Sequence, residues 1–300
     1  MSVDPGTIAA FVDGELDDLT ARRVEREAAN DPALATEIAR YRALKAQLTA
    51  HYAPIAEEAV PERLRALLAG AADMTTRAAS NDPAVNPAGA FAVLQWLADT
   101  RHGRSIHALM PYADPLRDIA LWFVQLWAES LGKTRADGTL TGPTPLPALG
   151  ATDQHSQVQL FMEGPRDKTV TFISVRGRET EGAIPPRHGD IPELSYLQGH
   201  TLGELLDIER RATAGALAAR GRFNANISID AVDAWHVGAL LQLFALATAY
   251  AGALYGVNAF DQPGVELGKQ FAYAMLGKPG SDAARAEWAA LPKPDERWSV

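Results

Sequence analysis

Apolar positions recur at helical spacing through roughly the first seventy residues. Behind the Asp13-Gly14 turn, residues 16–29 form a charge-dense helical pattern that stops at Asn30. Asp31-Pro32 then sets a capping carboxylate ahead of a proline at a first helical position. Leu34, Ile38, Tyr41, Leu44 and Leu48 follow at helical steps, predicting an amphipathic helix. Between Leu67 and Gly89 the composition turns to Ala, Thr, Ser, Asn and Pro, which predicts a junction over 66–85. Beyond it, helix and strand patterns alternate. Residues 90–99 read as a helix, 105–110 as a buried parallel strand, 114–129 as a helix with Trp122, Phe123 and Trp127 on an aromatic face, and 170–175 as a β-branched strand. The alternation predicts an α/β fold, with an open, mostly parallel sheet and flanking helices, preceded by a small all-α N-terminal domain. Ligands of such sheets bind at the carboxyl ends of the strands. The Gly- and Pro-rich stretch 132–150 reads as a loop long enough to be functional.

Residues 237–257 carry no charge and are long enough to span a bilayer. Gln242, Thr248, the glycines and many alanines, with acidic Asp233 and Asp261 as flanks, point instead to a core helix buried on all sides. Nearly half of the 300 residues are apolar, enough for a real core. The formal charge of -9 argues against a nucleic-acid partner, so an anionic substrate needs a locally positive pocket. The chain has no cysteine, which excludes disulfides and thiolate metal sites and fits a reducing cytoplasm. Residues 1–6 lack the pattern of a signal peptide. His51, His102, His107, His188, His200 and His236 show no ligand spacing, so neither metal nor cofactor is expected.

Three segments carry the candidate chemistry. Phe260-Asp261-Gln262-Pro263-Gly264-Val265-Glu266-Leu267-Gly268-Lys269 places an amide, a carboxylate and an amine at a turn entering a helix. Trp127-Ala128-Glu129-Ser130-Leu131-Gly132-Lys133 ends an apolar helix with a carboxylate, and Gly150-Ala151-Thr152-Asp153-Gln154-His155-Ser156-Gln157 holds a histidine in a turn. Taken singly, such carboxylates and lysines are most often solvated surface groups, and such a histidine is most often structural. In order and rough spacing, however, the three segments resemble the C-terminal half of glucose-6-phosphate isomerase, over roughly residues 66–290.

The resemblance implies a sheet of sugar-isomerase type in residues 86–300 and an aldose–ketose isomerase interconverting glucose 6-phosphate and fructose 6-phosphate, in glycolysis and gluconeogenesis. It implies Glu129 as the base that shuttles a proton between adjacent carbons. His155 is then the ring-opening residue, contributed to the neighbouring subunit's site, which makes the protein a homodimer. Lys269 would stabilise charge on substrate oxygens and Gln262 would donate to a hydroxyl or phosphate oxygen. Asp153 is expected to orient its turn, and Ser130 and Lys133 flank Glu129 without an assigned role. The family's Ser/Thr-rich phosphate loop and Gly-Gly-Arg segment precede the glutamate and have no match here. Gly221-Arg222-Phe223 is similar to the latter but lacks its first glycine and follows His155. Acid and base groups without the phosphate clamp imply turnover lowered by orders of magnitude.

The N-terminal residues carry a second resemblance. Ile8-Ala9-Ala10-Phe11-Val12-Asp13-Gly14-Glu15-Leu16, then Asn30-Asp31-Pro32-Ala33-Leu34, Arg42-Ala43-Leu44 and Val60-Pro61-Glu62-Arg63-Leu64, are similar to the sigma-binding domain of bacterial anti-sigma factors. The family's His-x-x-x-Cys-x-x-Cys zinc motif is absent, so the resemblance implies a zinc-less domain over 1–65 with a sigma factor as partner. Two alternatives to an isomerase follow: an anti-sigma-like regulatory binding protein, or a catalytically inactive chimera.

Overall fold

The computed structural model describes residues 3–82, 84–177, 182–187, 189–293, 295 and 297, so His188 lies outside the described residues. The chain divides into two compact units, Met1–Pro61 and Glu62–Val300.

The first unit is a trio of helices, α1 (Pro5–Asp13), α2 (Asp18–Asn30) and α3 (Pro32–Ala56). Each begins at an aspartate whose carboxylate accepts from backbone N–H groups of the first turn: Asp4, Asp17 and Asp31. Ile8, Val24 and Ile38 form the buried centre, one from each helix, with Phe11, Leu16, Leu34 and Tyr41 packed against it. Lys45 pairs with Asp13 at 3.0 Å and donates to the Val12 carbonyl, which fixes α1 on α3. Past Lys45 the apolar stripe continues, but Leu44, Leu48, Tyr52 and Ile55 are about half exposed.

The second unit contains α4 (Glu62–Ala78), α5 (Pro87–His102), β1 (Ile106–Pro111), α6 (Arg117–Leu131), β2 (Lys133–Thr134), β3 (Leu140–Thr141), β4 (Thr144–Pro147), α7 (Val158–Glu163), β5 (Lys168–Val175), α8 (Pro192–Ser195), α9 (Leu202–Ala219), β6 (Phe223–Ile229), α10 (Ala234–Tyr255), α11 (Glu266–Met275) and α12 (Asp282–Ala290). The sheet order is β4-β1-β5-β6 and every pairing in it is parallel. Alternation along the strands sends Leu109, Ile173 and Val175 into one layer with α4, α5, α6 and α10, while Ala108, Met110 and Phe172 enter the other with α7 and α9. In the first layer Phe91 meets Phe123, Trp127 and Phe244 edge to face, Phe123 and Phe244 meet tilted, and Phe123 stacks on Trp127, with ring centroids 5.0–6.1 Å apart. Each such ring stabilises the fold by about 1.5–3 kcal/mol through burial alone.

The structure adds to or corrects the sequence reading at three places. Within the junction expected at 66–85, α4 runs as far as Ala78 and packs on α10. There a Cβ on Gly70 would lie 1.9 Å from the Trp235 carbonyl oxygen, and one on Gly238 would lie 2.0 Å from that of Leu67. Stretch 132–150 holds a short hairpin (β2 and β3) and strand β4, in addition to loop. Finally, α10 is not buried on all sides. By length and composition it could cross a membrane, and only half of its most apolar window is buried. Leu243, Phe244, Ala247 and Ala251 face the core, whereas Ala245, Ala253 and Leu254 face outward.

Candidate active site

Glu129 lies in the last turn of α6, half-buried, one residue before buried Ser130. Four residues on, the Lys133 side chain, only 6% exposed, turns back. Its ammonium donates to the Glu129 carbonyl at 2.7 Å and to the Asp261 carbonyl, with the Asp261 carboxylate 3.5 Å away. A lysine at a helix C-terminus satisfies carbonyls the helix leaves open. Here it also joins two segments 128 residues apart in sequence. The sequence left Lys133 without a role, and its i, i+4 spacing from Glu129 was the available signal.

That junction brings the C-terminal signature against α6. Glu129, Lys133 and Gln262 line one open cleft of about 480 Å³, together with Val124, Ala128 and Val265. Lys269, one turn into α11, is near enough for the Glu129 charge to act on it. Its ammonium donates to the Glu266 carboxylate at 2.7 Å, and that hydrogen bond holds it above the usual lysine range. Gln262, Glu266 and Lys269 are all exposed, as are Phe260 and Leu276 nearby. Of the four residues singled out from the sequence, Glu129 and Gln262 therefore line one solvent-open cleft, and Lys269 lies within electrostatic reach of Glu129.

The fourth, His155, does not join them within one chain. It ends a one-turn helix, Thr152–His155, that follows β4 at the carboxyl edge of the sheet, and its imidazole is exposed and makes no hydrogen bond to a described residue. Thr152 and Asp153 sit against Ala120 and Leu121, near the start of α6. From Ala120 to Glu129 the helix rises about 13 Å. Asp153 orients the turn as expected, accepting from the Leu149 N–H and the Ser156 hydroxyl, each at 2.7 Å. No group of three or more His, Asp and Glu side chains able to hold a metal ion occurs among the described residues.

A family model described as phosphoglucose isomerase matches residues 53–291. The chain belongs to the phosphoglucose isomerase family. Within this family it is 49% identical over 217 residues to glucose-6-phosphate isomerase of Rubrobacter xylanophilus, covering 72% of this chain and 49% of that one. The isomerase of Carboxydothermus hydrogenoformans is 43% identical over 227 residues, covering 75% and 49%. Among solved structures, a hypothetical protein of Thermus thermophilus superposes with a TM-score of 0.65 at 41% identity, over 70% of this chain and 50% of that one. A glucose-6-phosphate isomerase of Chlamydia trachomatis shares the fold, with a TM-score of 0.64 at 22% identity. The chain spans about half the length of the curated phosphoglucose isomerase relatives it matches.

Proposed function

We propose that residues 62–291 are the catalytic half of an aldose–ketose isomerase acting on glucose 6-phosphate and fructose 6-phosphate in the cytoplasm. The observation that carries this reading is that Glu129 and Gln262 line one cleft, with Lys269 close enough for the Glu129 charge to act on it, in a chain of this family. In the open-chain sugar, the Glu129 carboxylate takes the proton from one of the two adjacent carbons and returns it to the other. The Lys269 ammonium, kept charged by Glu266, faces the oxygen on which enediol charge grows, and the Gln262 amide donates to a substrate hydroxyl. His155 opens the ring in the cleft of a second copy, which accounts for an exposed imidazole well away from its own Glu129.

The test is formation of glucose 6-phosphate from fructose 6-phosphate, with the half of the Rubrobacter xylanophilus enzyme that this chain does not match added in trans. Turnover is expected, and Glu129→Gln should lower it about 10²–10⁴-fold. His155→Gln should be equally poor, while mixing the two variant chains should restore part of the activity through hybrid sites. No turnover in any combination would refute the reading.

For the N-terminal unit we infer a sigma factor as partner. The reading is supported by a compact unit with its own core, most of which precedes the family match, and by the half-exposed row Leu44, Leu48, Tyr52 and Ile55 on α3.

A further inference from the structure

We propose that Tyr112 and Gln154, together with Asp153, form a clip that fixes the backbone of the turn from which the His155 imidazole projects, making them positioning residues for ring opening. The inference rests on the reading of His155 given above and names what keeps that residue in place.

A helical segment of one turn has few internal hydrogen bonds and is intrinsically weak. The Thr152–His155 turn is nevertheless tied down on both sides of the histidine. On one side, the Tyr112 hydroxyl donates to Gln154 Oε1 at 2.7 Å. Tyr112 follows β1 and is fully buried, its backbone N–H donates to the Ile173 carbonyl at 2.9 Å, and its ring packs edge to face on Phe172 at 5.8 Å. On the same ring lies Gly150, where a Cβ would come within 2.3 Å of ring atoms, so the chain entering the turn runs directly over the tyrosine face. On the other side, the Asp153 carboxylate bridges the Leu149 N–H and the Ser156 hydroxyl. Residues 153, 154 and 156 are thus fixed, while the imidazole between them makes no hydrogen bond to a described residue.

Packing alone does not call for this tyrosine. A phenylalanine would fill the same space without a hydroxyl to bury, and a buried hydroxyl is tolerated only with partners. Those partners are Gln154 and, from α9, Thr213. Burial also pushes the phenol above its ordinary value, so it remains a donor across the working range.

The experiment follows the His155 imidazole by NMR in the full chain without substrate, alongside activity in the reconstituted isomerase. The wild-type chain should give one narrow set of His155 signals. Tyr112→Phe and Gln154→Leu should broaden or split them, and Gln154→Glu, which keeps the accepting oxygen, should restore one set. In turnover the first two variants should lower kcat about tenfold or more with KM little changed, and Gln154→Glu should recover it. His155 signals unchanged in both Tyr112→Phe and Gln154→Leu would overturn the clip, whatever the activities. Signals that respond as expected while His155→Gln keeps wild-type turnover would uphold the clip and sink the ring-opening reading instead.

Discussion

His107 is a buried base with both ring nitrogens in use. Nδ1 accepts from the Trp127 indole at 3.1 Å, leaving the Nε2–H to donate to the Arg104 carbonyl at 3.1 Å. Burial pulls its pKa from 6.5 to about 4. The folded chain thus keeps it neutral, while the unfolded chain takes up a proton below about pH 6.5. Its contribution is complete above that value and is lost as pH falls from 6.5 towards 4, amounting to roughly 3 kcal/mol at the acid end. Denaturant melts near neutrality and near pH 4 should show a smaller loss for His107→Gln than for wild type. At the same scale, Lys133 shows why part of the site was hidden in the sequence. The motif residues could be picked out by resemblance, yet what physically joins Glu129 to the Asp261-Gln262 segment is one lysine bonded to two carbonyls; its i, i+4 spacing hints at the nearer bond, and nothing local announces the one 128 residues away.

Among the elements, α4 and α10 approach through reciprocal glycines, and the Gln242–Thr75 and Tyr250–Ala78 hydrogen bonds lock their register at 2.9 and 2.6 Å. Gly70→Ala and Gly238→Ala should each destabilise the second unit by about 1–3 kcal/mol, seen as a lower denaturant midpoint, because a methyl group there meets backbone rather than a movable side chain. The strands differ in how far the sequence reveals them. β1 and β5 are buried on both faces; the first read as an apolar run and the second as a β-branched one, so both were legible. β4 was not, because Pro145 and Pro147 argue against a strand. The N–H groups of Thr144 and Ala148 point to β1, so by alternation both prolines lie where a missing donor on the outer edge costs nothing. β6 escaped because Asn224, Asn226 and Ser228 face α9 and a polar network with Ser174 and Arg210 instead of an apolar layer.

For the whole molecule, the two units make separable demands. The first has a core of three fully buried side chains, and a domain this small gains less from burial than a larger one. Its half-exposed α3 row should be where a partner binds. Full-length chain should retain a sigma factor in a pull-down, and Leu44→Glu with Leu48→Glu should abolish retention while leaving the second unit's melt unchanged. Retention by neither wild type nor variant would remove the regulatory reading. In the second unit the overall plan was readable from alternation alone. The meeting of Glu129 with residues more than a hundred positions later came from resemblance, since no local pattern encodes a contact across that separation.

One side of β6 is paired with β5 along its length, and among the described residues no strand pairs with the other. Its sequence, Phe223-Asn224-Ala225-Asn226-Ile227-Ser228-Ile229, has no charge and no proline, the usual safeguards of an outermost strand. A border so poorly defended is tolerable only while something occupies it. Left alone at high concentration, the polypeptide carries an open row of amide and carbonyl groups that will take whatever extended segment arrives first, including another molecule of its own kind.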